Sequence, residues 1–332
     1  MRTAHRTLAS LALLALLLAC GTEPARNITG TLAANHTATF SAWSEPVNLG
    51  PPINMPGFND QQATLSKHGL SLYFASARPE GPGDVSLDLN IWVSQRACAD
   101  DTCPWGTPVS LGSTVNSAVN DIAPALSRDE HWLYFASGRQ QGAAGSGDIW
   151  VSYRQDVHDD FGWEAPVNLG AGVNTAGFEG GPSYFENDDI GAPQLYFNHN
   201  PAPVNSGGDI YVSEQAADGA WGPATPVVEL NSLSSDQRPS IAHNGLEIYF
   251  FSDRPGSSGN DIWVSTRESV LAPWSSPTNL GPPINTGTGE FHPLIVSHGG
   301  TQYLYFTRNV AAPPAIDFDL FVSTRTRGRP QE

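Results

Sequence analysis

Charge is scarce in this sequence. Asp, Glu, Lys and Arg make up 15% of the 332 residues, against roughly 25% in an average soluble protein. Among the 16 basic residues, only Lys67 is a lysine. The net charge of −17, with no cluster of Lys and Arg, excludes a nucleic-acid backbone as partner, since phosphate contacts need clustered cations. The Ala-, Glu-, Lys- and Leu-rich composition of a helical bundle or coiled coil is missing. There is no nucleophile elbow, no His-Glu-x-x-His and no Gly-rich loop opening a helix, which removes the common hydrolase, zinc-protease and phosphate-binding signatures. What is present is 33 Gly, 27 Pro, nine Trp, nine Tyr and 14 Phe. That much apolar and aromatic surface can build a core, so intrinsic disorder is excluded as well.

The N-terminus reads as an address. Arg2 and Arg6 precede an apolar run over residues 8–19, the pattern of a secretory signal. The run is shorter than the roughly 20 residues a bilayer-spanning helix needs. It ends in Leu17-Leu18-Ala19-Cys20-Gly21, which resembles a bacterial lipobox. That resemblance implies cleavage after residue 19 and acylation of Cys20. Gly21 in the second mature position favours the outer membrane. Residues 20–42 lack periodicity and read as a flexible tether. Cys98 and Cys103, five residues apart, are expected to form a short-loop disulfide in an exported protein.

Self-similarity dominates the rest. Trp recurs at Trp43, Trp105, Trp163, Trp221 and Trp274, each followed by a Pro and a short apolar stretch such as Pro46-Val-Asn-Leu-Gly50. An Asn follows at Asn54, Asn116, Asn174, Asn231 and Asn285, then a carboxylate at Asp60, Asp121, Glu179, Asp236 and Glu290. Two further runs complete each unit, for example Leu133-Tyr-Phe135 and Ile149-Trp-Val-Ser152. Four short β-like runs per repeat, punctuated by Gly, Pro, Asn and Asp and without a helix, predict a β-propeller. The chain begins with the last strand of a unit and ends with the third. Pairing these two closes the ring and removes two open edges. The expectation is an all-β, five-bladed propeller over residues 43–327, with 328–332 as a tail.

The unit Ser240-Ile-Ala-His-Asn-Gly245-Leu-Glu-Ile-Tyr-Phe250-Phe-Ser-Asp-Arg254, followed by Asp261-Ile-Trp-Val-Ser265, resembles the WD-like repeat of TolB-type bacterial propellers. The resemblance covers about residues 43–325 and implies the fold. It carries no partner contact over to a residue of this chain.

The five carboxylates open the innermost strands and are expected at one mouth of the central channel. They either cap the turns there or leave a channel that binds a cation or a polyol. Five unpaired carboxylates this close cannot all stay ionised. Arg78, Arg139 and Arg254 are expected to reach Asp148, Asp209, Asp261 or Asp319, which open the third strands. Function is expected where the repeats differ: Asn198-His199-Asn200 in place of Ser-x-Arg, then Arg238 and His292, with Phe178 and Phe291 as aromatic surface. Asp156-Val-His158-Asp159-Asp160 reads as a metal-binding run or a solvated turn. The sequence gives two functional readings. One is a lipid-anchored envelope module that binds a protein or glycan without catalysis or cofactor, a channel cation aside, and meets the membrane only through its lipid. The alternative is a carbohydrate-active hydrolase or lyase that uses channel carboxylates with His199, Arg238 or His292.

Overall fold

The computed structural model describes residues 40–99, 102–140, 142–202, 207–311 and 315–328. The expected signal peptide, Cys20 and nearly all of the expected tether lie outside these residues. The described strands are β1 (Val47–Asn48), β2 (Asp60–Leu65), β3 (Ser71–Ser76), β4 (Asn90–Gln95), β5 (Val109–Ser110), β6 (Asp121–Leu126), β7 (Trp132–Ser137), β8 (Asp148–Tyr153), β9 (Val167–Asn168) and β10 (Phe178–Phe185). They continue with β11 (Gln194–Asn200), β12 (Asp209–Glu214), β13 (Thr225–Pro226), β14 (Asp236–Ile241), β15 (Glu247–Ser252), β16 (Asp261–Thr266), β17 (Thr278–Asn279), β18 (Glu290–His298), β19 (Thr301–Asn309) and β20 (Phe318–Thr326). They form five antiparallel sheets of four strands each, and no helix occurs among the described residues.

Four blades are continuous in sequence, and the fifth has the order β1-β20-β19-β18. Val47 pairs with Val322 and Asn48 with Phe321, so the N-terminal strand closes the ring. The junction repeats a contact made inside every other blade. Asn116 bonds the N–H and C=O of Ile91, as Asn174 does for Ile149, Asn231 for Ile210 and Asn285 for Ile262. Asn54 makes the same pair of bonds to Leu320, 266 residues away.

Leu-Tyr-Phe and Ile-Trp-Val runs carry apolar groups out of both faces, so each blade buries both. Five clusters result, one between each pair of neighbours. Tyr73, Ile91 and Val93 of blade one meet Leu133, Phe135 and Trp150 of blade two, and Leu72, Phe74 and Trp92 close on Leu320. Four of the five repeated Trp lie under arginines: Arg96 over Trp105 at 4.4 Å, Arg154 over Trp163 at 4.5 Å, Arg267 over Trp274 at 4.2 Å and Arg325 over Trp43 at 4.5 Å. Cys98 and Cys103 are disulfide-bonded.

Each innermost strand is broken by a bulge at the same place. The register shifts between Gln61 and Thr64, Ile122 and Ala125, Gly180 and Ser183, Gln237 and Ser240, and Phe291 and Leu294. A left-handed residue sits at each: Gln62 (φ 58°), Ala123 (55°), Gly181 (59°), Arg238 (55°) and His292 (51°). Four of the five are followed by Pro, which has no N–H to give to a ladder. For side chains other than glycine this backbone region is strained, and such strain gathers at functional positions. The bulge lifts these five residues out of the sheet register and makes them line the channel.

Candidate functional site

The five repeated carboxylates are fully buried. One oxygen of each accepts the backbone N–H of the turn before it: Met55 to Asp60 (2.6 Å), Ser117 to Asp121 (2.5 Å), Thr175 to Glu179 (2.9 Å), Ser232 to Asp236 (2.6 Å) and Thr286 to Glu290 (2.8 Å). The other oxygen meets a cation from the second strand: Arg78 at Asp60 (2.7 Å), Arg139 at Asp121 (2.5 Å), Arg254 at Asp236 and Arg308 at Glu290 (2.8 Å). The expected arginine partners therefore change. These guanidiniums bind the inner-strand carboxylates, while Asp148, Asp261 and Asp319 accept from Asn168, Asn279 and Asn48 of the outer strands. The ring carboxylates cap turns, and both oxygens of each are engaged within the protein. No group of three or more metal-binding side chains occurs among the described residues.

Blade three breaks this pattern twice. Its Glu179 is held by a titratable partner, His199, through Nδ1 at 2.6 Å. Its third strand opens with Asp209, and the outer strand Thr225-Pro226 supplies no Asn to hold it. Asp209 accepts no hydrogen bond among the described residues. Burial, then the charge of Asp236, pushes its carboxyl above the usual carboxylate range, with His199 opposing. His199 and Asp209 are direct partners across β11 and β12, which puts their Cβ atoms about 4.5–5.5 Å apart. Tyr211 packs edge-on against His199, with centroids 5.1 Å apart. Asp209 was grouped by sequence with the structural aspartates. The signal that singles it out is the fourth Pro-Val run, Pro226-Val-Val-Glu-Leu230, which lacks the Asn or Ser of the others.

Arg238 and His292 lie in the bulge ring, with Phe178 and Phe291 beside them. The Arg238 guanidinium lies over Phe178, 5.7 Å from the ring centroid. Phe291 packs edge-on against Phe251 and Phe318, both at 5.3 Å. Burial, then the charge of Arg238, holds the His292 imidazole well below its ordinary range. His292 therefore stays neutral when folded but takes a proton near pH ~6.5 when unfolded. A depressed pKa contributes stability above that value and loses it as pH falls. The thermal midpoint is expected to fall more steeply for the wild type than for His292→Gln between about pH 7 and 5. Parallel curves would show that this imidazole does not titrate as a buried neutral group.

Asp160 is buried and does not stand in a solvated turn. It is 4% exposed and ties blade two to blade one, accepting from Ser71 (2.5 Å), Gln95 (2.7 Å), Arg154 (2.9 Å) and the Tyr73 hydroxyl. A cavity of about 390 Å³ opens on the opposite face from Asp209, among Lys67, Arg128, Glu130, Tyr184 and His243. Its two carboxylates are already engaged, Glu130 by the Lys67 N–H (2.5 Å) and Glu186 by the Tyr184 hydroxyl (3.1 Å). Blade three holds the less engaged acid–base groups.

No protein-family model and no curated protein matches this sequence. Solved structures do match over most of the chain. A glycoside hydrolase is 12% identical with a TM-score of 0.63, covering 88% of this chain and 93% of the other. The catalytic domain of a Coprinopsis cinerea GH62 α-L-arabinofuranosidase is 11% identical with a TM-score of 0.58, covering 87% and 98%. An endo-arabinase from Bacteroides thetaiotaomicron is 16% identical with a TM-score of 0.54, covering 89% and 99%. At these identities the likeness is one of fold. It corrects the expectation of a TolB-type, non-catalytic binding module, because these structural neighbours are glycoside hydrolases.

Proposed function

We propose that this chain is a glycan hydrolase with its acid–base groups in blade three. The observation that carries the reading is the double break in that blade: a ring carboxylate held by His199 and an Asp209 without its usual lock. A catalytic pair must be asymmetric, and the fivefold scaffold is asymmetric here. In this reading Asp209, protonated, gives its proton to the glycosidic oxygen as the bond to the anomeric carbon breaks. Water attacks that carbon and passes a proton to His199 Nε2. Glu179 orients the imidazole through Nδ1 and stabilises its cationic form, the role a buried carboxylate plays behind a catalytic histidine. The arrangement departs from the usual pair of carboxylates by using a carboxylate-backed imidazole as base.

The fold likeness to arabinofuranosidases and an endo-arabinase makes arabinan and arabinoxylan the first substrates to assay. Reducing ends are expected to be released by the wild type. Asp209→Asn and His199→Gln should each lower the rate by at least ~100-fold, the low end for acid–base catalysis, and Asp209→Asn should do so without lowering the thermal midpoint. Full activity in Asp209→Asn, or no hydrolysis of any glycan by the wild type, would falsify this reading.

A further inference from the structure

We propose that Arg238 and His292 form a carboxylate-binding subsite in the channel, so that the preferred glycan carries an acidic sugar. This rests on the hydrolase reading for the site's use, though not for its geometry.

Arg238 is 9% exposed, and its Nε and Nη1 have no hydrogen-bond partner. A buried cation without a counter-charge is costly. No ring carboxylate is left for it, because all five are paired elsewhere. The neighbouring blade accommodates its side chain through two glycines. A Cβ on Gly181 would lie 2.4 Å from Arg238 Cδ, and one on Gly180 would lie 3.0 Å from Nη1. The four other blades carry side chains at both of these positions.

His292 supplies the second donor. The Ala123 N–H donates to Gln62 Oε1 at 3.0 Å, which fixes the amide so that its Nε2 faces His292 Nε2 at 3.3 Å. Gln62 is the donor in that contact, so the neutral imidazole carries its proton on Nδ1. That N–H is buried and has no partner either. The channel cavity holding both groups measures about 130 Å³, the liquid volume of about four waters at ~30 Å³ each. It has room for a carboxylate arm and bridging water, with the sugar ring left at the mouth. The one unpartnered acceptor nearby among the described residues is Asn198 Oδ1. Arg238 and His292 both line this cavity, and a guanidinium beside an imidazole N–H matches a planar anion.

The test is calorimetric titration of the full chain with galacturonate and glucuronate oligosaccharides, their neutral counterparts and acetate. The acidic oligosaccharides are expected to bind at least tenfold more tightly than the neutral ones. Arg238→Gln should erase that preference, and Arg238→Lys should keep part of it. Arg238→Met serves as a fold control: freed of an unpaired buried charge, it should keep or raise the thermal midpoint while losing acid binding. Equal binding of acidic and neutral sugars, a preference that survives Arg238→Gln, or binding of acetate alone overturns the subsite. Arg238-dependent acid binding without turnover of any glycan upholds the subsite and removes the hydrolase reading. Turnover of neutral arabinan with no acid preference does the reverse.

Discussion

Asp160→Ala is expected to destabilise the protein by about 3–5 kcal/mol, the range for breaking a buried ion pair from one side. The reason lies in what stays behind. Arg154 is fully buried, and without Asp160 its guanidinium keeps only the Glu130 and Asp159 carbonyls and the Tyr73 hydroxyl, with no negative charge. Ser71 and Gln95 lose an acceptor at the same time. Because these groups belong to two blades, the loss falls on an interblade contact. At roughly 2–4 °C per kcal/mol for a chain of this order, the thermal midpoint should drop by on the order of 10 °C. Burial alone would raise the Asp160 carboxyl, but hydrogen bonds from Ser71, Tyr73, Gln95 and Arg154 outweigh it and hold the group below its ordinary range. Its contribution is therefore present at neutral pH and fades as pH falls below the unfolded value of about 3.9. The double variant Arg154→Met with Asp160→Leu should recover most of the loss, since an apolar pair can replace a buried ion pair. A drop of less than about 2 °C for Asp160→Ala, under one kcal/mol on the same scale, would show that the cluster does not bear on stability.

Deletion of residues 43–50 should cost more still. It removes β1 from Val322 and Phe321, the Ser44 bonds to Ser323 and the Trp43 ring from under Arg325. Trp43 also packs edge-on against Tyr249 at 6.4 Å. One aromatic side chain of about 150–250 Å² is worth ~4–6 kcal/mol gross at ~25 cal/mol/Å². The open β20 edge would then pair with other chains. The expected result is a midpoint below that of Asp160→Ala, with oligomers on size-exclusion chromatography. Trp43→Ala and Asn54→Ala separate packing from hydrogen bonding, and each should show part of the effect. A monomeric deletion variant with the wild-type midpoint would mean that the ring does not depend on this strand.

The blades were legible because their pattern is local: Leu-Tyr-Phe and Ile-Trp-Val-Ser recur at each turn of the ring. The closure was legible from phase alone. Partners were harder to read. The arginine–carboxylate locks have a constant separation of 18 residues, as in Asp60–Arg78, Asp121–Arg139, Asp236–Arg254 and Glu290–Arg308. That signal was present in the sequence, but the nearer third-strand aspartates competed for the same arginines. Asp160 could not be read at all, since its partners Ser71 and Tyr73 are 89 and 87 residues away. Arg238 stood out as a cation in the wrong place for a lock. Its burial depends on Gly180 and Gly181 in another blade, which no local pattern connects to it. Asp209 became visible only when the outer strand beside it proved to lack an Asn.

The single lysine has a practical consequence. Lys67 lies at the 390 Å³ cavity, on the face opposite Asp209 and His199. Its side chain is the only ε-amine in the sequence. An amine-reactive fluorophore aimed at ε-amines would therefore attach at one defined point, clear of Asp209 and His199. Its emission would act as a fixed beacon for whatever reaches the channel from below, read without mutating a residue.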